Sequence, residues 1–131
     1  MSVTSPPRNI DAPTFGLTSF AVIVLALATA AIHLSLVPAE FRKGATGYGT
    51  LFILTAVGYV IALAVLYAPV DIVRPLRAFA RFALIAIAAA SIIAYVSLGY
   101  FDTLGWVDKA IELALILVAV AEIPALRRAH A

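Results

Sequence analysis

The sequence predicts an all-α integral membrane protein, an antiparallel four-helix bundle, and three observations carry that prediction. Hydrophobic residues make up 64% of the 131-residue chain and charged residues only 12%, with a mean hydropathy of +1.09. A water-soluble globule of this size has too little polar surface to cover so much apolar side chain, and disorder or a coiled coil would need far more charge. The apolar residues also fall into four runs, each close to the ~20 residues that cross a bilayer as a helix. Finally, prolines, glycines and charges cluster between the runs, where turns belong.

The elements follow in order. Residues 1–13 are polar, contain three prolines and read as a flexible tail. The first span covers about 15–37 and is closed by Pro38. A glycine-bearing loop, Glu40 to Gly49, leads to a second span over 50–68, ended by Pro69. Pro75 suits the first turn of a third span over 76–100, because its missing N–H has no partner to lose there. The segment Phe101 to Gly105 turns the chain into a fourth span over 106–126, bent near Pro124, and residues 127–131 form a basic tail. The four spans, 14–126, make one domain. Small residues repeat four apart in three of them (Ala26 and Ala30; Gly58 and Ala62; Ala86, Ala90 and Ala94), a spacing that lets helices approach closely in lipid.

Orientation follows from the short loops. Arg8, Arg74, Arg77, Arg81, Arg127 and Arg128 fall on one side, and Arg42, Lys43 and Lys109 on the other. The positive-inside rule then places both termini in the cytoplasm and the protein in the cell membrane. The net charge of +2 is too small for a nucleic-acid surface. The lipid bilayer is the expected partner, with Arg74, Arg77 and Arg81 at i, i+3 and i+7 as candidate contacts for anionic head groups. Without cysteine, the chain has no route to disulfides, thiolate zinc or iron–sulfur ligation.

Ionisable groups inside a bilayer are costly, so each asks for an explanation. His33 lies near one end of the first span. Asp108 and Glu112, four apart, share a face of the fourth span. With Glu40 they form a candidate polar cluster: His33, Glu40, Asp108 and Glu112. Imidazole with carboxylates can relay protons or hold a divalent ion, so His33 and Glu112 are candidate metal ligands. The plainer expectation is structural: a His33–Glu112 hydrogen bond fixes the helix register, Glu40 and Asp108 stay solvated, and Lys109 pairs with Glu112 at the interface. Glu122 is explained by a pair with Arg81 or Arg127. One intramembrane histidine leaves haem only as a group shared between two copies.

Ala30-Ala31-Ile32-His33-Leu34, Gly49-Thr50-Leu51-Phe52 and Val107-Asp108-Lys109-Ala110-Ile111-Glu112 through Ile116 resemble segments of small four-span membrane proteins of bacteria and archaea. That resemblance implies the topology and assigns no role. The sequence holds no phosphate loop, HExxH or GxSxG. The leading expectation is therefore a non-catalytic accessory or assembly subunit beside other membrane subunits, or a self-associating chain, with no cofactor. The rival is a small oligomeric cation- or proton-coupled transporter or channel using His33 and Glu112, and a third reading is a metal- or haem-binding membrane protein.

Overall fold

The computed structural model describes residues 16–129, with side chains to position 123. The amino tail with Arg8, and the side chains of Arg127, Arg128 and His130, lie outside the described residues. Those residues are all-helical, without a strand. α1 spans Leu17–Arg42, α2 Thr46–Tyr67, α3 Arg77–Leu98 and α4 Thr103–Ala129, and a 3₁₀ segment, Asp71–Leu76, precedes α3. Three helical stretches are long and apolar enough to cross a membrane: Leu17–Arg42, Thr46–Tyr67 and Asp71–Leu98. The expected fourth span does not reach that standard. α4 carries Asp108, Lys109, Glu112 and Glu122, and all four are turned into the protein.

The boundaries differ from expectation for local reasons. α1 continues through Pro38 to Arg42. It ends in a Schellman arrangement, in which the Ala45 N–H donates to the Glu40 carbonyl, the Gly44 N–H donates to the Phe41 carbonyl, and Gly44 takes φ +78°. The expected ten-residue loop thus shrinks to three residues. Pro75 sits in the 3₁₀ segment rather than in the first turn of α3. Gly99 ends α3 at φ +72°. The Asp102 carboxylate accepts the Gly105 N–H at 3.1 Å and so caps α4, which begins three residues before the expected start and continues through Ala129.

Each helix packs on two others: α1 on α2 and α4, and α3 on α2 and α4. The buried faces follow helical spacing. Val22, Ala26 and Ala30 of α1 meet Ala56, Ala62 and Leu63 of α2, Leu84 and Ala88 of α3, and Leu115 and Ala119 of α4 in one core. Small residues at the core let the backbones approach, as expected for α1 and α2. In α3, however, Ala86, Ala90 and Ala94 lie off the buried face, which is made by Ala80, Arg81, Leu84 and Ala88. The outer surface is apolar, with Phe20, Leu54, Ile61, Phe82, Ile93 and Leu117 all more than half exposed.

The Ile87 side chain of α3 packs against α2 at Gly58, where an added Cβ would lie 2.9 Å from Ile87 Cδ1. On one side of that contact a cavity of about 1240 Å³ separates the two helices. Leu51, Leu54 and Thr55 of α2 face Ile87, Ala90 and Ala94 of α3 across it.

Candidate functional site

The floor of this cavity is a network built by all four helices. α4 contributes Asp108, Lys109 and Glu112, with 3%, 9% and 0% of their surface exposed. α1 contributes Thr29 and His33, one turn apart on the buried face; α2 contributes Tyr59 and α3 contributes Ser91. Lys109 Nζ is the hub. It donates to Glu112 Oε2 at 2.6 Å and to Ser91 Oγ at 2.5 Å, and lies 2.8 Å from Asp108 Oδ2. Tyr59 donates to Glu112 Oε1 at 2.8 Å, and Thr29 donates to Asp108 Oδ1 at 2.7 Å.

His33 closes the network. Its Nδ1 lies 2.9 Å from the Thr29 carbonyl oxygen. A carbonyl only accepts, so in this geometry Nδ1 carries a proton and donates. In the neutral ring Nε2 is then a lone pair, 3.4 Å from Ser91 Oγ and 3.9 Å from Glu112 Oε1. Nδ1 is also 3.8 Å from Asp108 Oδ2. The ring packs edge-on to Phe52 and tilted against Tyr59. Lys109, Ser91 and His33 thus form a chain in which the ammonium donates to the hydroxyl and the hydroxyl can donate to imidazole.

Charge counting gives the centre its chemistry. Counted formally, with Asp108 and Glu112 as carboxylates, Lys109 as ammonium and a neutral imidazole, the centre sums to one negative charge, enclosed where uncompensated charge is costly. A proton on the imidazole would balance that count.

This arrangement corrects several expectations. Asp108 is enclosed rather than solvated. His33 and Glu112 approach without the expected hydrogen bond. Lys109 is buried, with its ammonium turned into the bundle against both carboxylates, and the expected pair with Glu112 forms at 2.6 Å. Glu40 stands apart from the centre. It pairs with Lys43 at 3.0 Å on the cavity rim. His33, Asp108 and Glu112 do present donor atoms within 4.8 Å of one another, a donor set suited to a divalent ion. Lys109, however, already places a cation against both carboxylates, so the geometry favours an internal ammonium over a metal.

A second polar centre ties the four helices together near the start of α1. Glu122 of α4 accepts from Ser19 of α1 at 2.7 Å, Tyr67 of α2 at 3.1 Å and Arg81 of α3 at 2.9 Å. Of the two pairings expected for Glu122, the structure shows the one with Arg81, while the Arg127 side chain lies outside the described residues. The three arginines consequently do not share one outward stripe. Arg81 points inward, Arg77 donates to the Ala68 carbonyl at 2.9 Å, and Arg74 faces outward beside Asp71 at 3.1 Å. Arg81 and Glu122 are one cation and one anion, so this centre is neutral, unlike the one at the cavity floor.

Sequence reasoning paired Lys109 with Glu112, a pair the structure shows, but did not find Thr29, Tyr59 and Ser91 as parts of the site. A signal existed for one of them: Thr29 precedes His33 by four residues. Tyr59 and Ser91 have no such neighbour, and only the packing brings them in. No family model, curated protein or solved structure matches the chain.

Proposed function

We propose that this chain is a small proton-exchanging membrane carrier, an antiparallel four-span bundle in which His33 takes up and releases the proton. The observation that carries this reading is the enclosed net negative charge of Asp108, Lys109 and Glu112, set beside one imidazole at the floor of a cavity. A neutral network would serve as a structural pin, as Arg81 and Glu122 do. A network one proton short of neutrality has a reason to exchange that proton. The accessory-subunit reading drew on an interior without chemistry, and the buried groups now weigh toward the carrier. The three-residue and four-residue connections between α1 and α2 and between α3 and α4 support the antiparallel arrangement. The loop arginines support cytoplasmic termini.

The test is proton flux into vesicles of purified protein with an enclosed pH dye and a potassium–valinomycin clamp. Flux should exceed that of empty vesicles and return to their level in His33→Gln and Glu112→Gln. Flux equal to empty vesicles, or unchanged in both variants, rejects the reading.

A further inference from the structure

The cavity has walls and a floor of different character. Tyr48, Phe52, Tyr95, Tyr100 and Phe101 bring five aromatic rings to its lining, together with Leu51 and Leu54. Leu51 and Leu54 are half or more exposed, so the wedge between α2 and α3 reaches the outer, lipid-facing surface. A ligand with a large apolar body fits such a space, since pockets of ~300–1,000 Å³ already take drug-sized molecules.

The sign of the ligand follows from the polar groups. The charged residues lining the cavity are Glu40, Asp102 and Asp108 against Lys43 and Lys109, and Glu112 lies directly behind Lys109. Negative charge is in excess. Lys109 offers little to an anion, because its ammonium is already engaged by Ser91, Glu112 and Asp108. A cation, by contrast, supplies the one positive charge the floor lacks and meets ring faces on its way in. Lys109 itself lies 5.7 Å from the centre of the Tyr95 ring, so the site already holds one such contact.

We propose that the cavity binds a lipophilic organic cation and exchanges it for the proton on His33. This rests on the carrier reading above and names its substrate class. The groups facing His33 set the competition: Asp108, Glu112 and, through Ser91, Lys109 from α4; Ser91 itself from α3; Phe52 and Tyr59 from α2; and Thr29 on its own helix. With His33 neutral, the floor carries one negative charge and takes the cation. With His33 protonated, the floor is neutral and the cation leaves. Proton on His33 and cation on the floor therefore exclude one another. Glu122 is excluded from this exchange, because Arg81 already balances it.

Two probes of nearly the same shape and opposite charge test the assignment. Tetraphenylphosphonium and tetraphenylborate are titrated by calorimetry into the unaltered protein in detergent, with empty micelles as the reference. Tetraphenylphosphonium should bind saturably, one per chain, and tetraphenylborate should not. Acidification from about pH 8 to about pH 5 should weaken the cation about tenfold, since proton and ligand are reciprocally linked. His33→Gln should keep the binding and lose its pH dependence; if that variant does not fold, Asp108→Asn should weaken the cation at high pH. Equal or tighter binding of tetraphenylborate, or saturable binding of neither ion, overturns the ligand class. Cation binding that ignores pH overturns the exchange. Proton flux that persists in vesicles while neither ion binds removes only this inference. Cation binding without flux in any condition removes the carrier reading instead.

Discussion

Lys109 stands between two enclosed carboxylates, and its charge matters more than its bulk. Replacing it by methionine keeps most of the volume and leaves Asp108 and Glu112 uncompensated. Breaking a buried pair from one side costs about 3–5 kcal/mol, so Lys109→Met should lower the unfolding midpoint in detergent sharply. Adding Glu112→Gln to it should recover part of the loss, because the second change removes one of the stranded anions. A coupling energy of about 0.5–3 kcal/mol is expected from the double-mutant cycle. Strict additivity would show that the 2.6 Å contact between Lys109 and Glu112 contributes nothing.

Among the helices, glycine positions show how the packing was set. Gly47 and Gly105 both lie in helices, where alanine ordinarily gains about 1 kcal/mol over glycine. A Cβ on Gly47 would meet nothing within 4 Å, so Gly47→Ala should stabilise the protein. A Cβ on Gly105 would collide with Tyr95 Oη and Asp102 Oδ1, the pair that fastens the turn between α3 and α4. There the sign should reverse, and comparative melting of the two variants decides it. Gly58 belongs to the same class: Gly58→Leu should push Ile87 away and cost about 1–3 kcal/mol through overpacking, with relief from a further Ile87→Ala.

For the whole molecule, the proposed function assigns exchange to one polar centre and cohesion to the other. Arg81→Gln strands Glu122 among Ser19 and Tyr67 and should unfold the bundle more readily than His33→Gln, although both sites contain one buried carboxylate held by a tyrosine. The proposed topology is open to a direct check because the chain has no cysteine. Single replacements Gly44→Cys, Asp71→Cys and Asp102→Cys, labelled in sealed vesicles with an impermeant maleimide, should place positions 44 and 102 on one face and 71 on the other. Any other partition rejects four antiparallel spans.

The sequence by itself determined the helical class, the number of helices and roughly where each lies, because apolar run length and proline or glycine punctuation act locally. It also singled out His33, Asp108 and Glu112, since an ionisable residue in an apolar run is conspicuous wherever the helix turns. Only the tertiary structure decided which way each polar group points. From the sequence Asp108 is expected to be solvated and Arg81 to join an outward stripe; both are buried instead, because the partners of a helix decide which of its faces turns inward. Tyr59 lies 53 residues from Glu112 in the chain, and Ser91 lies 18 residues from Lys109. Their roles depend on long-range packing of α2 and α3 against the other helices, which leaves no periodic mark in the sequence.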